Sequence, residues 1–241
     1  MNARAVVRLA LLALLLVVSL IPIAVLTLFG LRPKLVALYL RIVGRILGLR
    51  VKVVGRPIEG PALYAANHIA WLDIPALGGI RYTRFIAKSQ IAKWPVIGLM
   101  ARVAGSVFVQ RERRSATRDQ ADEIMIALNE GHPLALFAEG GTGDGVRLSP
   151  FRPALFAAAV ETGATVQPVA IDYGDRSAEI AWPNGASFGD EMRRMLNRPA
   201  PVHVTITYLT ALDARELNRK VLSALSETAV SRALGREVAP A

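Results

Sequence analysis

The hydrophobic pattern changes character near Arg50. From Leu9 to Leu31 the chain carries no charge, LALLALLLVVSLIPIAVLTLFGL. As a helix this run is long enough to cross a hydrocarbon core of about 30 Å, with Pro22 placed to kink it. A cleavable signal peptide has a shorter apolar region and a small-residue cleavage site. No A-x-A precedes Arg32, so a retained membrane-anchoring helical segment is expected. Arg4 and Arg8 precede the run, and Arg32, Lys34, Arg41, Arg45 and Arg50 follow it. The heavier second flank favours a cytoplasmic C-terminal side. The same pattern fits a monotopic hairpin that dips in at Pro22 and returns. Leu35 to Leu49 then mixes Leu35, Leu38, Ile42 and Ile46 with Arg41 and Arg45. That is an amphipathic basic helix, lying either on a membrane surface or on the main domain with its arginines in solvent.

Past Arg50 short apolar runs alternate with amphipathic stretches, and no repeat or low-complexity segment occurs. Val51–Val54 is a β-branched run that stops at Gly55, and Ala62–Ala66 (ALYAA) reads as a buried strand ending at Asn67. Arg84–Ala87, Ser106–Gln110, Pro133–Phe137 and Thr165–Ile171 are further predicted strands, the last with Pro168 at an edge or bulge. Val202–Tyr208 alternates like a half-exposed strand. Helices are predicted over Trp94–Val103, opened by Pro95, and over Ser115–Asn129, stopped by Gly131. In the second, Ala121, Ile124, Met125 and Leu128 share one face. Phe151–Thr162 and Ala214–Arg232, the latter with Asp213 as N-cap, complete the set. This alternation argues for an α/β domain with a mixed, largely parallel sheet covered by helices. No linker interrupts residues 51–241, so residues 1–50 are expected to be the anchor and basic helix, and residues 51–241 one catalytic domain.

The net charge of +10 on 241 residues points to anionic partners. With an apolar segment also present, an anionic membrane surface is the expected one, and no nucleic acid is implied. The chain has no cysteine, so disulfides, thiolate chemistry and cysteine-rich zinc sites are excluded. Only His68, His132 and His203 can supply an imidazole.

Four segments carry candidate chemistry. In Asn67-His68-Ile69-Ala70-Trp71-Leu72-Asp73, four residues separate the histidine from the aspartate. On a continuous helix that spacing would point the two side chains apart, so a strand–loop–helix corner is required, with the helix starting near Asp73. There an imidazole can take a proton from a substrate hydroxyl while the carboxylate fixes its tautomer. An isolated pair of this kind more readily describes a loop histidine and a helix cap, since the spacing arises often by chance. The second segment, Gly105–Arg111 followed by Glu112, Arg113 and Arg114, brings guanidinium groups to a strand end, where they can bind phosphate or sit in solvent. The third, Phe137-Ala138-Glu139-Gly140-Gly141-Thr142-Gly143-Asp144-Gly145, is a glycine-dense turn whose amides can approach an anion. It matches neither a Walker loop nor a dinucleotide fingerprint. The fourth, Val166-Gln167-Pro168-Val169, reads by itself as a core strand.

Taken in order, the four segments resemble the glycerolipid acyltransferase family, typified by 1-acylglycerol-3-phosphate acyltransferases. That family carries N-H-x4-D, then G-x-x-F-[IV]-x-R, then F-P-E-G-T, then V-P-[VI], and the resemblance covers roughly residues 50–175. It implies His68 as general base and Asp73 as its partner. It also implies Asn67, Lys88, Arg111, Glu139, Gly140, Gly141 and Thr142 as substrate-binding residues, Arg111 on the acceptor's phosphate or headgroup. The implied donor is acyl-coenzyme A or acyl-carrier protein, with no cofactor and no metal. The third block departs from the family: Ala138 replaces the proline, Gly141 stands where the family has threonine, and the following arginine is missing. The run Thr142-Gly143-Asp144-Gly145, with Phe151-Arg152 and Trp182-Pro183, is more similar to a bacterial subgroup that includes lyso-ornithine lipid acyltransferases.

The expected function is therefore O-acyl transfer from an acyl thioester to the hydroxyl of a lysolipid such as 1-acylglycerol 3-phosphate, or alternatively lyso-ornithine lipid. The expected location is the cell inner membrane, with the catalytic domain facing the cytoplasm. Two other classes compete. One is a membrane-bound thioesterase that gives the same pair a water nucleophile; the chain has no G-x-S-x-G elbow for a serine hydrolase. The other is a non-catalytic lipid-binding protein, which makes all four blocks accidental.

Overall fold

A computed structural model describes residues 1–109, 117–182, 186–199 and 201–240. The elements run α1 (Ala3–Thr27), α2 (Arg32–Ile46), β1 (Leu49–Val54), β2 (Leu63–Ala66), α3 (Asp73–Gly78), β3 (Arg84–Lys88), α4 (Pro95–Val103) and β4 (Val107–Val109). They continue α5 (Thr117–Asn129), β5 (Leu134–Phe137), α6 (Ala157–Thr162), β6 (Thr165–Asp172), α7 (Ser177–Ile180), α8 (Phe188–Asn197), β7 (Val202–Tyr208), β8 (Leu212–Asp213) and α9 (Arg219–Leu234). The sheet order is β1-β7-β6-β2-β5-β3-β4, with β8 also paired to β6. β6, β2, β5, β3 and β4 are mutually parallel, while β1 and β7 run the other way and β8 is antiparallel to β6. The mixed, mostly parallel α/β architecture expected from the alternation is what forms.

β2 and β5 are buried along their whole lengths. Their alternate side chains feed two cores, because successive residues of a strand point to opposite faces. Tyr64, Ala66, Ala135 and Phe137 join Leu47, Ala76, Leu77, Met195 and Leu196 on one face. Leu63, Ala65, Leu134 and Leu136 join Ile124, Leu128, Phe156 and Leu222 on the other. Pro168 lies inside β6, not at an edge. Its missing N–H falls where β6 changes partner from β8, at Thr165 and Val166, to β7, at Val169. Its carbonyl accepts from the Leu209 amide at 3.0 Å. A proline is tolerated in this interior strand because the ladder has a gap there.

Several helix boundaries differ from expectation. α1 spans Ala3–Thr27, where the uncharged run is Leu9–Leu31. α2 spans Arg32–Ile46, where the basic helix is expected over Leu35–Leu49, whose last residue opens β1. Asp213 caps only the short turn Ala214–Glu216, whereas α9 starts at Arg219 under Asn218, whose Oδ1 accepts from the Lys220 and Val221 amides. The strand-like backbone of Leu217 separates the two. The helix expected over Phe151–Thr162 is a 3-10 turn, Pro153–Phe156, followed by α6, which ends as foreseen at left-handed Gly163. α8 was not foreseen. Its start is marked by Ser187, which accepts from the Asp190 amide and donates to the Asp190 carboxylate.

The uncharged N-terminal run forms α1, with Pro22 inside it. Among the described residues, no helix is long and apolar enough to cross a membrane. One side of α1 is docked on the domain. Ala5 is fully buried, and the Arg8 guanidinium donates to the carbonyls of Met195, Leu196 and Arg198 at 3.2, 2.9 and 2.7 Å. Arg8 thus satisfies carbonyls at the negative end of α8. The other side leaves Val7, Leu14, Val17, Val18 and Ile21 exposed. Replacing Arg8 by Met should loosen this docking. Hydrogen exchange in the first half of α1 should accelerate by about tenfold or more, the scale of one charge-assisted bond, with the sheet amides unchanged.

Candidate active site

The five parallel strands end on one edge of the sheet, where ligand crevices form in open α/β folds. Asn67 and His68 follow the end of β2, Glu139 follows β5, and Lys88 is the last residue of β3. β4 ends at Val109, and Arg111 beyond it lies outside the described residues, as do Gln110, Glu112, Arg113 and Arg114. The side chain of Ala121 and Pro183 also lie outside them.

His68 is fixed at its backbone and at one ring nitrogen. Its N–H donates to Glu139 Oε1 at 2.6 Å, and its carbonyl accepts from Gly143 at 2.7 Å. Its ring stacks on Phe137, with centroids 3.8 Å apart and planes 11° apart. Nδ1 meets Asp73 Oδ2 at 2.8 Å. An ionised carboxylate can only accept, so Nδ1 carries the proton and the neutral ring offers Nε2 as a base. Nε2 has no partner among the described residues, and the side chain is 17% exposed.

Asp73 opens α3 and is completely buried. Its Oδ2 also accepts from the Ile69 and Ala70 amides at 2.7 and 3.0 Å, and its Oδ1 accepts from the Tyr173 hydroxyl at 2.7 Å. The corner that the five-residue spacing demands is thus closed by the carboxylate itself, which caps the loop instead of its own helix. Asn67 is buried, and its side-chain amide grips the carbonyl and the N–H of Ile171 at 2.9 and 2.8 Å, tying β2 to β6.

Glu139 is buried too, and its second oxygen accepts from the Ser149 amide at 2.8 Å. Burial raises its pKa, and the hydrogen bonds from His68 and Ser149 only partly oppose that. Gly140 adopts φ +81°, and a Cβ there would stand 2.6 Å from Arg152 Nε, so the Arg152 side chain lies over the glycine turn. Gly141 has open space around its Cα, and neither the Gly141 nor the Thr142 amide has a partner among the described residues. Lys88 is exposed at the strand end opposite Val109. All three tryptophans gather on Phe188 beside the corner, with centroid distances of 6.3 Å for Trp71, 4.9 Å for Trp94 and 5.8 Å for Trp182. The Trp182 amide donates to the Ile69 carbonyl at 3.0 Å, which fixes this aromatic flank to the histidine loop. Sequence reasoning missed Tyr173 and this aromatic group; all three tryptophans were visible, but their convergence on Phe188 was not.

Residues 50–172 match the acyltransferase family model. The chain belongs to the acyltransferase family. It is 37% identical over 203 residues to lyso-ornithine lipid O-acyltransferase of Brucella abortus, covering 74% of each chain. It is 37% identical over 182 residues to the Rhizobium meliloti protein of the same name, covering 68% of this chain and 62% of that one. It is 40% identical over 128 residues to the 1-acyl-sn-glycerol-3-phosphate acyltransferase of Neisseria gonorrhoeae, covering 53% of this chain and 50% of that one. The fold is shared with the crystal structure of the 1-acyl-sn-glycerophosphate acyltransferase from Thermotoga maritima, with TM-score 0.66 and 23% identity over 95% of both chains.

Glu139 braces the backbone on both sides of the site, so Glu139→Gln must set an amide NH2 against either the His68 or the Ser149 N–H. Stability should fall by about 1–3 kcal/mol in chemical denaturation, the cost of a buried unsatisfied donor. Turnover should fall with it, while KM stays unchanged.

Proposed function

We propose that the chain transfers a fatty acyl group from an acyl thioester to the free hydroxyl of a lysolipid, with His68 as general base and Asp73 as its partner. The observation that carries this is the imidazole held by Asp73 through Nδ1, with Nε2 unpartnered among the described residues and partly exposed at the end of β2. The lysolipid O–H gives its proton to Nε2 as its oxygen bonds to the thioester carbonyl carbon. The tetrahedral intermediate then collapses, the C–S bond breaks, and the imidazolium returns the proton to the departing thiolate. The corner amides of His68, Ile69 and Ala70 are engaged by Glu139 and Asp73, so they do not serve the oxyanion. That role falls to the Gly141 and Thr142 amides of the glycine turn. The tryptophan cluster offers the acyl chain an apolar flank.

For the acceptor we favour lyso-ornithine lipid over 1-acylglycerol 3-phosphate. By sequence, the Rhodobacter capsulatus relative bearing the first name matches 75% of this chain and the Neisseria gonorrhoeae relative bearing the second 53%, and the arginine of the third block is missing here. Lys88, Arg111 and Arg152 are the cations proposed to meet the acceptor's anionic group. The donor is acyl-coenzyme A or acyl-carrier protein. The exposed apolar side of α1, continued by Leu28 and Phe29, supports attachment to the inner membrane with the catalytic domain on the cytoplasmic side.

Purified protein incubated with labelled acyl thioester and a panel of lysolipids should yield the diacyl product, read by mass, most rapidly with lyso-ornithine lipid. His68→Ala should cut turnover by about 10²- to 10⁴-fold, the usual contribution of a general base, with circular dichroism unchanged. Near-normal turnover by that variant refutes the mechanism. Equal release of free fatty acid with and without acceptor makes the chain a thioesterase.

A further inference from the structure

Tyr173 stands immediately after β6, a hundred positions from Asp73, and belongs to none of the four motif blocks. Its hydroxyl nevertheless donates to Asp73 Oδ1 at 2.7 Å, on the oxygen opposite the one that holds His68. We infer that Tyr173 is a positioning residue that sets the orientation and basicity of His68 through Asp73, an inference that rests on His68 acting as the general base.

The contact is built from several distant segments. Asn67 clamps Ile171, two residues before the tyrosine. The Tyr173 amide donates to Ser177 Oγ at 3.2 Å, and the Ser177 hydroxyl donates to Asp172 Oδ1 at 3.2 Å. Arg236, beyond α9, donates to both the Asp172 carboxylate and Ser177 Oγ. The ring is buried, and its hydroxyl is engaged by Asp73. Burial, reinforced by the neighbouring Asp73 charge, pushes the phenol well above its ordinary pKa, so it remains a donor across the working range.

The sign of the effect follows from the charge on Asp73. Among the described residues, the titratable groups that reach His68 are Asp73 from the start of α3, Glu139 from the turn after β5, and Tyr173 acting through Asp73. A donor on Oδ1 draws negative charge away from Oδ2, so the imidazolium is less stabilised and Nε2 stays unprotonated to lower pH. It also pins the carboxylate about its own bond, and the carboxylate pins the imidazole. Without the hydroxyl, His68 feels the full carboxylate charge and takes up its proton at higher pH, while the ring is held less firmly.

Tyr173→Phe keeps the ring and removes only the donor. In the full chain, with acyl thioester and lysolipid, kcat should fall roughly tenfold, the low end for losing a hydrogen bond to a charged group. KM for both substrates should stay within about twofold, as expected when substrate contacts are untouched. The acidic limb of kcat/KM should move up by about half to one pH unit. Replacing Tyr173 alone by 3-fluorotyrosine, a more acidic phenol and a stronger donor, should move the same limb down. A destabilised fold has no reason to shift the limb in opposite directions, and the fluorinated protein decides the matter if the Phe variant does not fold. An unmoved limb in the folded variants overturns the inference. Run in parallel, His68→Ala separates the failures: an active His68→Ala removes the general base itself. An inactive one beside an unmoved limb removes only the role of Tyr173.

Discussion

Everything at the site depends on keeping one carboxylate charged inside the protein. Asp73 is fully buried, and an ionised carboxylate without partners in such a place costs many kcal/mol or simply takes up a proton. Four donors meet its two oxygens: the Ile69 and Ala70 amides, the His68 ring and the Tyr173 hydroxyl. A carboxylate has about four lone-pair sites, so its accepting capacity is filled. Two of the donors are backbone groups of the loop between histidine and aspartate. The loop conformation that presents His68 is therefore the same one that solvates Asp73, and neither forms without the other.

The sheet supplies what the loop cannot. β2 ends beside β5 on one side and β6 on the other, with Ala66 level with Phe137 and with Val169. That register puts Phe137 under the imidazole, brings Glu139 to the His68 amide, and lets Asn67 reach Ile171. A one-residue slip in a parallel ladder would reverse the face of every one of these side chains. Fully buried strands fix such a register firmly, since both faces pack against helices.

These physical facts explain what could be read in advance. The strands around the site were legible as apolar runs, and the corner was legible because five-residue spacing contradicts a continuous helix. The order of the four blocks pointed to the family that the comparison of residues 50–172 then showed. The partners of the site residues were not legible. Glu139 and Asn67 look like ligand-facing groups in a motif, yet both engage backbone atoms of other segments, Ser149 and Ile171 among them. Tyr173 and Arg8 act across a hundred residues or more, on Asp73 and on the end of α8. No local pattern announces such contacts, because they exist only once the chain has closed.

The same closure constrains how the proposed reaction divides its labour. Asp73 and Glu139 engage every amide from His68 to Ala70, so those three are not available to an oxyanion. The proposal therefore takes its donors from the glycine turn after β5, which is braced to His68 through Glu139 and Gly143. Base and oxyanion donors must both lie about 3 Å from atoms of a single reacting carbonyl and hydroxyl. Placing them on adjacent parallel strands, about 4.8 Å apart, gives that separation without relying on a mobile loop. Ala138 and Gly141, where the resembling family has proline and threonine, change side chains in this turn. Ala138 adds an N–H that a proline lacks, and it donates to the Ala66 carbonyl at 2.9 Å, while the Gly141 and Thr142 amides and the Glu139 brace are kept. On the proposed mechanism the substitutions bear on which acceptor is held, since the base and its partner are unchanged.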